Sequence, residues 1–178
     1  GVELDVESVW LCWKAVQQAL LTAGRPDAAA SLTMRVNSLG SDEERRTYSA
    51  SLRQYFLGCT NLSSASSERL RAGGSALGIL DSKHPEDIAA RERAPPISEF
   101  WGAQSRQCFQ DTQSALQELQ VPVQYDATLA RGLDYYNGLC WELQADSGAS
   151  SQGARALTLA GGGRYDGLAE SMGSKHRV

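Results

Sequence analysis

Histidine and cysteine are scarce in this chain and never cluster. Its 178 residues hold two histidines, His84 and His176, and four cysteines, Cys12, Cys59, Cys108 and Cys140. No CxxC pair occurs, and without a His/Cys cluster the sequence argues against a structural zinc. Cysteines this far apart fit free thiols in a reducing compartment better than a disulfide frame. A basic excess is also lacking. With a formal net charge of -4, no global field draws the chain to nucleic acid, so any RNA contact needs a local basic patch or a further domain. No apolar run approaches the roughly 18 residues that suggest a membrane span. The acidic start, Gly1 to Asp5, does not resemble a signal or transit peptide. These absences point to an intracellular protein, long enough for one or two domains and a sizeable core. There is no internal repeat.

Two segments stand out. Arg131-Gly132-Leu133-Asp134-Tyr135-Tyr136 sets a guanidinium beside two phenols, and Ala160-Gly161-Gly162-Gly163-Arg164-Tyr165-Asp166-Gly167-Leu168 offers bare backbone followed by an arginine and a tyrosine. Together they suggest a pocket for a small, polar, anionic ligand, because glycine lets a ligand approach main-chain amides and arginine supplies a fixed cationic fork. Taken singly, each has a plainer reading. The glycine run suits a tight strand connection, and adjacent tyrosines are usually core residues with satisfied hydroxyls.

Around these segments the pattern changes from helix to strand. Val9, Trp10, Trp13, Val16, Leu20 and Leu21 recur near the helical period, with Asp5 as N-cap and Gly24 and Pro26 as terminators. The two tryptophans read as helix-to-sheet packing. Leu32, Met34 and Val36 alternate with Thr33, Arg35 and Asn37 as in a half-exposed strand, expected at a sheet edge. Ser41 and Glu44 form a capping box for a second helix, which presents Tyr48, Leu52 and Tyr55 and stops at Gly58. Its charges, Glu43, Arg45, Arg46 and Arg53, read as a solvated face, with an RNA-facing role as the alternative. The serine-rich stretch 61–67, followed by Gly73 and Gly74, predicts a flexible loop. Pro85 and Glu86 suit a first helical turn. His84, with no partnered acid or nucleophile nearby in sequence, reads as structural or exposed rather than as a general base. Pro95 and Pro96 introduce another helix, capped by Ser98 and burying Trp101, Cys108, Phe109, Leu116 and Leu119. Short strands follow at residues 121–125 and 139–143, and a third carries Leu157 and Leu159 into the glycine run. A polar turn or mobile loop is expected at 146–153, and a short helix at 167–172, ended by Gly173.

Both segments resemble the two signature motifs of histidyl-tRNA synthetases, class II aminoacyl-tRNA ligases that activate histidine with ATP. Arg35-Val36-Asn37-Ser38-Leu39-Gly40-Ser41 resembles the strand end before the family's inserted domain in its bacterial-type form. Leu80-Asp81-Ser82-Lys83-His84-Pro85-Glu86 resembles a segment within that insertion. The likeness follows the family's order from residue 1 to about residue 172. It implies an α/β (α+β) fold, with residues 1–40 and 121–178 as parts of the class II antiparallel-sheet catalytic core and residues 41–120 as a mainly helical insertion. Phe100 and Trp101 are core candidates there, with base stacking the remoter alternative.

Roles are implied residue by residue. Arg131 aligns with the family's catalytic arginine, whose fork bridges the attacking carboxylate and phosphoryl oxygens. Tyr135 and Tyr136 match positions lining the histidine pocket, Tyr165 closes another side, and Gly161, Gly162 and Gly163 pack close to substrate. Arg164 either orients the turn or faces the ligand. Asp134 and Asp166 are expected to have structural hydrogen-bonding roles. The implied partners are L-histidine, ATP as substrate with Mg2+ in the complete enzyme, tRNA(His) and a second copy in a homodimer. No Mg2+ ligand is assigned and no membrane is involved. The expected compartment is the cytoplasm, or an organellar stroma or matrix. The chain shows no counterpart of the dimer-interface motif, the ATP-gripping arginine motif, the final catalytic arginine motif or the anticodon-binding domain. It is therefore expected to be an internal fragment, inactive alone. One alternative is a non-catalytic relative such as the regulatory subunit of ATP phosphoribosyltransferase. Another is a synthetase-like regulatory domain that binds uncharged tRNA. The intact string from Arg131 to Tyr136 favours the ligase, since a regulator need not keep a phosphate-directed arginine beside both tyrosines.

Overall fold

The alternation of Leu32, Met34 and Val36 puts β1 (Thr33–Ser38) at the heart of a four-stranded sheet. The computed structural model describes residues 1–129, 136–146 and 156–174. Strand order is β2 (Val123–Tyr125), β1, β3 (Leu139–Ala145), β4 (Leu157–Gly163). The sheet is mixed, as β1 runs parallel to β2 and antiparallel to β3, and β3 runs antiparallel to β4. The expected edge position for β1 is thus overturned, because both its ladders are filled. Asn37 and Ser38, polar but nearly inaccessible at 1% and 6% exposure, disguise an interior strand as a half-exposed one.

The register sorts side chains onto two faces, since successive residues of a strand point in opposite directions. Met34 faces Leu143 and Val36 faces Trp141, so one face is apolar. It is covered by α1 (Val2–Thr22) and α7 (Ala103–Glu118), which also pack on each other. Val6, Val9 and Trp13 come from α1, and Phe109 and Leu116 from α7. The other face carries Arg35, Asn37, Cys140, Glu142, Gln144, Thr158, Gly161 and Gly163. That difference in polarity leaves one side of the sheet suited to chemistry and the other to packing.

Helix α1 begins at Val2 with Gly1 as N-cap, and Asp5 sits within its first turn instead of capping it. A short α2 (Pro26–Ala30) links α1 to β1. The Ser41 capping box is present with both reciprocal bonds, and it opens α3 (Asp42–Leu57). Tyr48, Leu52 and Phe56 form the buried stripe of α3, with Tyr55 only half-buried. The serine-rich stretch expected to be a flexible loop forms α4 (Ser64–Arg71), with Ser63 as N-cap accepting from the Ser66 amide. Asp87 is the reason. It lies on α6 (Pro85–Arg91), has no exposed surface, and accepts from the Ser63 amide and from the hydroxyls of Ser63, Ser66 and Ser82 at 2.6–2.9 Å. Serines that look like linker are therefore ligands of one buried carboxylate, a long-range pairing that local composition does not reveal.

Between α4 and α6 lies α5 (Leu77–Leu80), whose Leu77, Ile79 and Leu80 are buried. A 3₁₀ turn, Ile97–Phe100, precedes α7, which has Gly102 rather than Ser98 at its N-cap. Cys108 and Leu119, expected in the core, are exposed, whereas Trp101, Phe109 and Leu116 are buried as expected. Trp101 donates from Nε1 to the Ser38 carbonyl at 3.1 Å and packs tilted on Phe109 at 4.9 Å, which joins the helical stretch to the end of β1. Beyond β4, α8 (Leu168–Ser171) closes at Gly173, whose φ of 90° suits glycine. The segment expected to be a loop at 146–153 falls, apart from Asp146, outside the described residues.

Candidate substrate-binding site

Tyr136, the last residue of the first signature, meets the second signature where β3 and β4 meet. Of the first, Tyr136 is described; Arg131 and Tyr135 lie outside the described residues, as does Asp134. Tyr136 is 7% exposed and meets Tyr165, 52% exposed, edge to face with ring centroids 6.1 Å apart. The structure thus brings together a tyrosine from each signature. Their backbones are tied as well, since the Asn137 amide donates to the Arg164 carbonyl at 2.9 Å and the Arg164 amide donates to Leu139 O at 2.8 Å.

Glycine is required here for a reason visible in the packing. A Cβ on Gly163 would stand 2.8 Å from the Tyr136 ring and 2.7 Å from the Leu139 carbonyl, and one on Gly162 would stand 2.6 Å from the Trp141 indole. The run therefore accommodates an aromatic ring on each face of the sheet, Trp141 on the packed side and Tyr136 on the open side. Gly161 pairs with Glu142 one rung further along the open face.

Arg164 projects towards α1. Its Nε and Nη2 donate to the two carboxylate oxygens of Asp5 at 3.3 and 2.7 Å. Asp166, next but one in sequence, offers its amide to Asn137 Oδ1 at 3.1 Å.

Several polar residues around the site were not singled out by sequence reasoning. Asn37 donates from Nδ2 to the Leu129 carbonyl at 2.9 Å and accepts the Ser38 amide at 2.8 Å, so it secures the chain just before the first signature. Asp126 pairs with Arg35 and accepts both the amide and the hydroxyl of Thr128, at 2.9 and 2.7 Å. The spacing Asp126-Ala127-Thr128 is a turn signal legible in sequence, but its arginine partner is not. Glu142 accepts from Gln144 and Thr158 at 3.2 and 3.3 Å on the open face. A strand's alternation alone does not separate such a residue from any exposed carboxylate.

A cavity of about 730 Å³ lies beside this site, lined by Asp5, Glu44, Ser105, Cys108, Arg164 and Asp166 among others, with neither Tyr136 nor Tyr165 on its wall. Glu44, Arg164 and Asp5 on its wall are already engaged. Glu44 accepts from the Ser41 amide, the Gly102 amide and the Ser105 hydroxyl at 2.6–2.7 Å. Burial pushes its carboxyl up, but the bonds from Ser105, Ser41 and Gly102 outweigh this and hold it below the ordinary value. The cavity therefore reads as a junction of helix ends, and the paired tyrosines on the open sheet face are the better candidate site.

Comparison with known proteins identifies the family. The family model described as histidyl-tRNA synthetase matches residues 4–177. The histidine–tRNA ligase of Synechococcus sp. (strain JA-3-3Ab) is 36% identical over 182 residues, which cover 97% of this chain and 40% of that protein. That of Chlamydia caviae is 39% identical over 143 residues, covering 80% of this chain and 32% of its own length. Among solved structures, apo histidyl-tRNA synthetase of S. aureus superposes with a TM-score of 0.69 at 26% identity, covering 98% of this chain and 39% of that one. The chain thus spans about 40% or less of the length of these ligases. The family model spans nearly the whole chain and the fold agrees with it, so the chain belongs to the histidyl-tRNA synthetase family.

Proposed function

We propose that this chain forms the amino-acid side of the active site in a histidine–tRNA ligase that activates L-histidine with ATP and passes it to tRNA(His). The observation that carries this reading is the contact between Tyr136 and Tyr165, one tyrosine from each signature, over a glycine that leaves room for the ring. A phenol packs on an imidazole and exchanges a hydrogen bond with a ring nitrogen, so such a wall suits histidine. Discrimination follows from pairing. An analogue that cannot match the imidazole nitrogens leaves buried partners unmet, at roughly 1–3 kcal/mol for each group.

In the first step the histidine carboxylate oxygen attacks the α-phosphorus of ATP, a bond to the β-phosphate oxygen breaks, and pyrophosphate leaves. Negative charge gathers between the two reactants, and Arg131 is proposed to bridge them. Tyr135 joins Tyr136 and Tyr165 in the pocket, with Gly161 on the open face giving close approach to backbone, while Gly162 and Gly163 make room for the Trp141 and Tyr136 rings instead of packing on substrate. ATP is a substrate here, and Mg2+ is expected to accompany it. Among the described residues no group of three or more His, Cys, Asp or Glu is arranged to hold a metal. Residues 1–40 and 121–178 are assigned to the class II catalytic core and 41–120 to the insertion. No helix among the described residues is long and apolar enough to cross a membrane. A cytoplasmic homodimer is the proposed setting.

The test is histidine-dependent ATP–pyrophosphate exchange by the full-length polypeptide that carries this chain. Arg131→Ala is expected to abolish most of the exchange. Arg131→Lys, which retains charge without the fork, is expected to lose roughly 100-fold. Near-normal exchange in Arg131→Lys would remove Arg131 from this role. Histidine binding without any exchange would move the assignment to the regulatory relative.

A further inference from the structure

We propose that Arg164 is a positioning residue and that Asp5, one turn into α1, is its partner, the pair setting where Tyr165 stands against Tyr136. This rests on the reading of the two tyrosines as the histidine pocket. The paired N–H edge of the guanidinium is occupied by Asp5, Nε to Oδ1 at 3.3 Å and Nη2 to Oδ2 at 2.7 Å, and Nη2 donates again to the Gly1 carbonyl at 3.0 Å. On the remaining side Nη1 lies 3.8 Å from Asp166 Oδ2. An incoming carboxylate or phosphate would meet two carboxylates, and the fork that suits arginine to anions is already filled. Burial opposes the charge on Arg164, but the hydrogen bond and charge of Asp5, with Asp166 behind it, outweigh burial and keep the guanidinium firmly protonated.

The backbone explains what the pair controls. Arg164 is the rung between the signatures, donating to Leu139 O and accepting from Asn137 N. Tyr136 immediately precedes Asn137, and Tyr165 immediately follows Arg164. A second tie, from the Asp166 amide to Asn137 Oδ1, clasps the same two segments. Fixing the Arg164 side chain to α1 therefore fixes the end of the sheet relative to the helix that covers its apolar face. Without that anchor the two rings keep their neighbours but lose their common reference. A displacement of about 1 Å in a positioned group costs on the order of 100-fold in rate.

A double-mutant cycle on the full-length polypeptide tests this, read by pyrophosphate exchange with histidine and ATP varied separately. If Arg164 acts only through Asp5, Arg164→Ala and Asp5→Ala each raise the KM for histidine roughly tenfold, and the double variant is no worse than either single. The KM for ATP stays within about twofold, and the reversed pair, Asp5→Arg with Arg164→Asp, recovers part of the loss. The proposal is overturned if Arg164→Ala is far more damaging than Asp5→Ala and the two effects multiply. It is also overturned if the KM for ATP moves instead. Thermal melting checks that the variants are folded; should the alanine variants fail, Asp5→Asn and Arg164→Gln carry the same cycle. If the parent binds histidine but performs no exchange, the ligase reading fails. The cycle is then read from the histidine Kd, where non-additive weakening sustains the pair and additive weakening refutes it.

Discussion

Asp87 illustrates how a single buried side chain organises its surroundings. Burial drives its carboxyl up, yet hydrogen bonds from Ser82, Ser66 and Ser63 outweigh that and hold it below the ordinary carboxylate value. Because the folded value lies below the unfolded one, the stabilisation is fully present above about pH 4 and is lost as the pH falls through the folded value. Asp87→Ala is expected to destabilise the helices around it by about 1–3 kcal/mol, because three serine hydroxyls lose their acceptor. Asp87→Asn is expected to flatten the acid limb of the stability curve. Thermal unfolding of the full-length polypeptide between pH 7 and pH 3 checks both, and an unchanged acid limb in Asp87→Asn would assign that titration elsewhere. None of this was legible in sequence. Asp87 is one acidic residue in the first turn of a helix, and its partners come from stretches up to 24 residues away.

Glu44 does for elements what Asp87 does for side chains. Its carboxylate completes the capping box of α3 and also accepts the amide of Gly102, the N-cap of α7, together with the Ser105 hydroxyl. One charge thus serves two helix N-termini, where the backbone dipoles favour an anion. Ser41→Ala removes one capping bond and is expected to cost about 1 kcal/mol. Glu44→Ala releases both helices and is expected to cost more, about 1.5–3 kcal/mol. Urea midpoints rank the two variants, and equal losses would show that the α7 contacts contribute nothing. The first half of this arrangement was legible, since a serine and a glutamate three residues apart suffice to identify a capping box. The second half spans 58 residues and was not. The same distinction explains the serine-rich stretch. Its composition argued for a loop, but Asp87 supplies the partner that makes α4 stable.

For the molecule as a whole, the outer side of β4 matters most. Leu157 is 58% exposed and Leu159 38%, on a strand that pairs only with β3 among the described residues. A register shift between Leu143 and Gln144 leaves Leu159 unopposed, a local bulge of the kind that blunts an edge. Apolar side chains on an unpaired edge still favour association through strand addition. The 178-residue chain by itself is therefore expected to self-associate, and Leu157→Lys to reduce that association. Light scattering coupled to size exclusion reads the outcome, and a monodisperse monomer at high concentration would contradict it.

Contiguous residues by themselves determined the capped start of α3, most of the apolar positions on the helices, the three terminal strands and the family resemblance, because periodicity, capping and motif identity are properties of neighbouring residues. Tertiary structure alone decided that β1 is interior, that four polar donors converge on Asp87, and that Arg164 turns to Asp5 across the fold. Each of these depends on which distant partner occupies the other side of a ladder, a carboxylate or a guanidinium, and that choice is made when the sheet and helices pack.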